Sequence, residues 1–225
     1  MARLLVTGAG RGIGLEFVRQ YAADGWSVVA TCRNEAAAEQ LRALRGNVAV
    51  EYLDMRDHEA LVGFRDRIGG APLDLFIANA GITRPDGFAS AEDADGWLEV
   101  LDVNCVAPTF LARNLAPRVA AAGGKMVAIT SQMGSIGDNG SGGWDAYRAS
   151  KAALNAAWRS MGVAMAGQPV AIAMLHPGWV KTDMGGGGAT LDAADSVSAM
   201  RRVIDGLTPR DKGVFLSYRG EKLPW

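Results

Sequence analysis

Short apolar runs rich in β-branched residues recur along the chain, each followed by a longer stretch with helical spacing. The runs fall at residues 4–7, 27–31, 48–53, 73–78, 125–130, 170–175 and 213–217. They are continuously apolar rather than alternating, so they predict strands buried on both faces, as in a parallel sheet flanked by helices. Seven strands with six intervening helical stretches predict an α/β fold: a single Rossmann-like doubly wound domain, its seven-stranded parallel sheet carrying helices on both faces. No linker, repeat or long charge run divides the chain, so residues 1–225 read as one domain. Asn34 and Glu35 predict a cap and an acidic first turn for a helix over 36–44. Asp192 predicts the cap of a helix over 193–204, with Gly206 just past its end.

Composition narrows the function classes. A chain of 225 residues buries roughly 70–75% of its unfolded surface, so its core needs no metal or disulfide. The net charge is -1 and no basic stripe is present, which argues against a nucleic-acid partner. Cys32 and Cys105 make neither a metal site nor a disulfide framework and read as reduced, buried thiols. There is no basic leader and no apolar run approaching the ~20 residues that cross a bilayer, so a cytoplasmic protein with no membrane partner is expected. The 29 glycines are about twice the usual share. They cluster at 8–14, 134–143 and 185–188, as expected of backbone brought close to a ligand or of mobile loops.

The first cluster has the clearest chemistry. Thr7-Gly8-Ala9-Gly10-Arg11-Gly12-Ile13-Gly14 links the first strand to a helix opening near Ile13. Glycines there let the backbone approach a pyrophosphate, and the helix N-terminus offers free N–H groups and a positive dipole end. No Gly-Lys-Ser/Thr closes the motif, so it is not a P-loop. At the end of the second strand an NAD site wants a carboxylate for the ribose 2′-OH. This chain has Thr31-Cys32-Arg33-Asn34 instead. Arg33 can fork onto a 2′-phosphate, with Arg11 closing from the other side, and Glu35 is assigned to the helix start. NADP(H) is therefore expected in preference to NAD(H).

Tyr147-Arg148-Ala149-Ser150-Lys151 opens a helical pattern that runs to about Met165. Residues four apart share a helix face, about 6 Å along the axis. A Lys⁺ so placed, with a nicotinamide charge, is expected to pull the phenol below its usual pKa of about 10. Tyr147 is then a candidate general acid/base, and this reading requires the phenol to ionise more readily than in a free peptide. Taken alone, a Tyr-x-x-x-Lys pair is common and reads as an exposed i,i+4 contact. Ser131, however, ends the fifth strand, where α/β sites lie, and its hydroxyl can orient a substrate carbonyl. Asn104, in the helical stretch after the fourth strand, is expected to hold a water against the Lys151 ammonium. His176, before Pro177, reads as a strand-end histidine satisfied by backbone.

With these residues assembled, the chain resembles the short-chain dehydrogenase/reductase family. The glycine turn is intact at Thr7–Gly14, Asn79-Ala80-Gly81 follows the fourth strand, and Asp54-Met55 matches the adenine-contacting pair. Asn104, Ser131, Tyr147 and Lys151 match the family's catalytic set in order, and Pro177-Gly178 with Val180 and Thr182 matches the nicotinamide-side loop. Gly178-Trp179-Val180-Lys181-Thr182-Asp183-Met184 and the ending with Tyr218-Arg219-Gly220 and Leu223-Pro224-Trp225 look like the C-factor and sniffer-type carbonyl reductase branch, many of whose members use NADP(H). The polar, Gly-rich stretch 138–143 departs from the pattern. The resemblance implies hydride transfer between NADP(H) and a small-molecule carbonyl or secondary alcohol. The cofactor would be held by Gly8, Arg11, Gly12, Ile13, Gly14, Arg33, Asp54, Met55, Asn79, Ala80, Gly81, Tyr147, Lys151, Pro177, Gly178, Val180 and Thr182. The rival is a non-catalytic NADP(H)-binding redox sensor or signalling protein. A homodimer through the apolar faces of 108–122 and 149–165 is also expected.

Overall fold

Seven strands, β1 (Arg3–Val6), β2 (Ser27–Cys32), β3 (Asn47–Tyr52), β4 (Leu75–Ala78), β5 (Lys125–Ile129), β6 (Ala171–His176) and β7 (Lys212–Ser217), make one parallel sheet in a computed structural model that describes residues 1–225. The spatial order is β3-β2-β1-β4-β5-β6-β7. The chain steps outward from β1 to β3, then returns to place β4 on the other side of β1. That reversal opens a crevice at the carboxyl ends of β1 and β4, where ligands bind in open α/β sheets.

Helices α1 (Gly12–Ala23), α2 (Glu35–Arg42), α3 (His58–Arg67), α4 (Ala91–Leu101), α5 (Ala107–Ala121), α6 (Asp145–Ala164) and α7 (Ala193–Gly206) cover the sheet. Each face has its own apolar core. On one, Leu61 and Phe64 of α3, Leu111 and Leu115 of α5 and Leu154 and Trp158 of α6 pack on Leu5, Phe76 and Met126. On the other, Phe17 and Val18 of α1, Leu41 of α2 and Val197 and Met200 of α7 pack on Leu4, Val6, Ile77 and Leu175. The continuous apolar strands are thus explained by burial on both sides.

The fourth crossover holds two helices, α4 and α5, joined by a π-helical turn at Asp102–Val106. There the N–H of Ala107 reaches back five residues to the carbonyl of Asp102. Such single-turn π-bulges occur often at functional sites, and this one carries Asn104.

Helix ends follow the sequence only where the cap is local. Asn34 accepts from the N–H of Ala37 at 3.0 Å, but α2 begins at Glu35 and stops at Arg42, short of the expected 44. Ser90 and Asp93 form a reciprocal capping box that opens α4. Asp192 precedes α7 without capping it. Its carboxylate lies 3.0 Å from the Lys181 ammonium, which outcompetes the helix N–H groups. Gly206 is the last residue of α7 rather than the first beyond it, and extended Leu207 ends the helix. Leu73 and Val170 are fully buried yet lie outside the strand ladder, so β4 and β6 start later than their apolar runs.

Candidate active site

The crevice at the β1/β4 reversal is a cleft of about 470 Å³, lined by Gly8, Gly10, Arg11, Gly12, Ile13, Gly14, Arg33, Asp54, Met55, Asn79, Ala80, Gly81, Tyr147, Lys151, Pro177 and Thr182 among others. A more open cavity of about 560 Å³ lies between α7 and the turn after β7. It holds none of the residues singled out for chemistry.

Thr7 anchors the glycine turn. Its hydroxyl accepts from the N–H groups of Asn79 at 3.1 Å and Ala80 at 3.2 Å. Asn79 answers by donating to the carbonyls of Thr7 and Gly8, both at 3.0 Å. The turn is so close to β4 that side chains are excluded. A Cβ on Gly14 would lie 2.4 Å from the Gly8 carbonyl oxygen and 2.5 Å from Asn79 Nδ2, and Gly8 itself sits at φ 64°. The first turn of α1 has no acidic side chain, and Arg11 makes no side-chain cap. Its free N–H groups and positive dipole end therefore face the cleft without an anion.

At the end of β2, Glu35 is taken up by Arg42 and the Tyr52 hydroxyl, so it is not offered to a ribose. Arg33 is exposed at the cleft edge, and its charge helps to hold Asp54 below the usual carboxylate range, after the larger effect of the hydrogen bonds from Arg56. Arg11 lines the same cleft. It pairs with Asp183 across the cleft mouth, because the loop after β6 presents that carboxylate directly opposite the glycine turn. Gly178 and Val180 are not among the residues that line the cleft. Gly178 turns the chain at φ 84° against Leu191 and Tyr218, and buried Val180 bridges to Leu191.

The structure brings Tyr147, Lys151 and Ser131 together. Tyr147 and Lys151 rise from α6, and the Lys151 Nζ lies 5.7 Å from the Tyr147 ring centroid. Lys151 gives its hydrogen bond to the Ile129 carbonyl at 3.0 Å. Burial drives both groups toward neutrality. The Tyr147 phenol is pushed up to about 12, with the neighbouring Ser131 hydroxyl pulling the other way. The Lys151 ammonium is brought down to about 8. Against the expectation of a phenol made more acidic by Lys151, burial raises it, and the ammonium is directed to Ile129 instead.

Asn104 is fully buried and its side chain is committed. Oδ1 accepts from the N–H of Ile82 at 2.8 Å, while Nδ2 donates to the Ile82 carbonyl at 2.8 Å and to the Ser150 hydroxyl at 3.0 Å. It fixes the loop after β4 to α6. His176 also departs from its reading. Its Nδ1 is buried without a partner, and burial lowers the ring to about 4.

Three contributors escaped the sequence reading. Ser150 sits one turn below Tyr147 and joins its carbonyl to Asn104; its place three residues after Tyr147 was a usable signal. Arg148 donates to the Gly143 carbonyl at 2.8 Å and the Ser141 hydroxyl at 2.9 Å, holding the Gly-rich loop. Asp86 caps α6 from 59 residues away, and nothing local announced it. Between them Trp144, half exposed, adopts φ 57°.

Comparison with known proteins gives the same answer over most of the chain. Residues 2–189 match the family described as short chain dehydrogenase. The C-signal of Myxococcus xanthus is 40% identical over 72% of this chain and 98% of its own. The carbonyl reductase Sniffer of D. melanogaster superposes with a TM-score of 0.90 at 32% identity, covering 100% of both chains. An NADPH-bound carbonyl reductase from chicken fatty liver does so with a TM-score of 0.88 at 33% identity, over 100% of this chain and 99% of that one. No helix is long and apolar enough to cross a membrane. On the span of that match and the sheet order that frames the cleft, the chain belongs to the short-chain dehydrogenase family.

Proposed function

We propose that this chain is an NADP(H)-dependent oxidoreductase that reduces a small-molecule carbonyl to a secondary alcohol, with residues 1–225 acting as one cofactor-binding and catalytic unit. The observation that carries the reading is that Tyr147 and Lys151 line the same cleft as the anion-free N-terminus of α1. The residues present fit the cofactor. A cradle that a Cβ at Gly14 would fill suits a pyrophosphate, and Arg33, with Glu35 turned away, suits a 2′-phosphate. Structural neighbours described as binding NADP or NADPH agree with this choice.

When bound, NADP(H) supplies the hydride. The chain's own part begins with Ser131, whose hydroxyl holds the substrate carbonyl oxygen toward Tyr147. Tyr147 then gives its phenolic proton to that oxygen as the carbonyl carbon is reduced. A phenol pushed up to about 12 is protonated at neutral pH, and the protonated form is the one reduction needs. Lys151 supplies positive charge beneath the ring, which steadies the phenolate left behind. Asn104 holds the two walls of the cleft in register through Ile82 and Ser150.

The test follows NADPH absorbance against a panel of aldehydes, ketones and quinones. Wild type should turn over at least one of them and Tyr147→Phe should not. The C-signal's name favours the rival, a non-catalytic NADP(H)-binding signalling protein. That reading prevails if wild type binds NADPH yet matches Tyr147→Phe on every substrate. We also assign a homodimer, supported by exposed Phe110 on α5 and Val163 on α6; sedimentation as a monomer alone would defeat it.

A further inference from the structure

We propose that Asp86 is a positioning residue for Tyr147, capping α6 from the segment after β4; this rests on the proton-donor role proposed for Tyr147. The first turn of α6 leaves N–H groups without partners inside the helix. An ordinary cap would come from the residue just before it, but that position holds Trp144, which makes no side-chain cap bond. An indole has only a donor to offer. Gly142, Gly143 and Trp144 all have positive φ, at 65°, 67° and 57°, so the chain swings into α6 on three successive left-handed residues with no local acceptor. Asp86 fills the gap. Its Oδ2 accepts from the N–H of Asp145 at 3.0 Å and its Oδ1 from the N–H of Ala146 at 3.4 Å. The next residue is Tyr147.

The placement matters for two reasons. A carboxylate at this end of a helix meets the positive pole of the dipole, and Asp86 makes no ion pair that would draw it away. Asp86 also belongs to the segment that follows Asn79, Ala80 and Gly81, whose neighbour Ile82 is bound by Asn104. The segment after β4 is therefore tied to α6 twice, through Asn104 and through Asp86. The tie through Asp86 fixes the helical turn from which the phenol projects. A left-handed tryptophan persists only where its surroundings over-determine it. Asp86 on one side and Arg148 gripping Gly143 on the other supply that constraint.

The experiment compares wild type, Asp86→Ala, Asp86→Asn and Tyr147→Phe as full-length protein. It measures amide hydrogen exchange at Asp145 and Ala146, NADPH affinity by fluorescence, and kcat and KM for a carbonyl substrate drawn from the panel. Asp86→Ala should speed exchange at both amides and lower kcat by about tenfold, as expected when a reacting group is slightly misplaced, with NADPH affinity unchanged. Asp86→Asn keeps an acceptor oxygen and should recover most of kcat. Unchanged exchange in Asp86→Ala overturns the cap, and faster exchange with wild-type kcat overturns the positioning role. A fall in NADPH affinity matching the fall in kcat also overturns it, since a general loss of structure would account for both. Activity surviving in Tyr147→Phe defeats the proton-donor reading itself. Activity surviving in Asp86→Ala while Tyr147→Phe is dead defeats only the present proposal.

Discussion

Lys151 lies under the ring of Tyr147 but spends its hydrogen bond on the backbone of Ile129, at the end of β5. The two side chains thus share a cleft without sharing a proton. Burial leaves both above neutrality, the ammonium brought down to about 8 and the phenol pushed up to about 12. Lys151 is charged below its value and neutral above it, while Tyr147 stays a phenol throughout. Carbonyl reduction should therefore lose kcat/KM as pH rises through about 8. Lys151→Arg, charged at every accessible pH, should flatten that limb at lower overall activity. Profiles between about pH 6 and 10, a range set by these two groups, check this; a wild-type profile with no break near 8 refutes it.

Arg33 is the residue proposed to choose between the two dinucleotides. Loss of a charge-assisted contact to a phosphate is worth ~1.5–3 kcal/mol, so Arg33→Ala should weaken NADPH by roughly 10- to 100-fold. NADH, lacking the 2′-phosphate, should lose no more than about twofold. Fluorescence titration with both cofactors decides it, and equal losses would remove the argument for NADP(H).

Glycines at two positions should respond in opposite directions to the same methyl group. Gly14→Ala drives a Cβ into the Gly8 carbonyl and should cost about 1–3 kcal/mol by overpacking, along with dinucleotide binding. Gly63 lies inside α3 with nothing within 4 Å of its would-be Cβ. Gly63→Ala should stabilise the fold by about 0.5–1 kcal/mol. Urea unfolding of both variants measures the contrast.

His176 makes the fold sensitive to acid. Its folded value of about 4 lies below the unfolded 6.5, so the buried neutral ring contributes stability that is fully present above pH 6.5 and lost as pH falls through 4. The two values imply a loss of about 3 kcal/mol. Thermal melts of wild type and His176→Gln across this window should converge as the pH drops. Parallel curves would show that His176 does not carry the effect.

What could be read from the sequence was what is local. The glycine turn declares itself because Gly8 and Gly14 lie within one strand-to-helix junction, and Asn34 caps α2 from the adjacent position. Tyr147 and Lys151 were brought together by helical spacing alone. Their electrostatics were not legible, because desolvation depends on what the rest of the chain packs around them. The same holds for Asp192, drawn off to Lys181, and for Asp86, whose partners lie in a distant helix. Asn104 was recognised as a residue of the site, but its bonds to Ile82 and Ser150 required the fold.

The π-helical turn at Asp102–Val106 makes chain length itself part of how the cleft is built. An α-helix advances about 100° per residue, so the extra residue in this turn sets the faces of α4 and α5 out of phase by about that angle. Removing Val103 would take out that offset and rotate α5 against α4, with Pro108, which has no N–H to give, then inside the run of helix. Asn104 would then swing away from Ile82 and Ser150, although it, Ser131, Tyr147 and Lys151 were all still present. Here a deletion that changes no chemistry would do more harm than many substitutions that do.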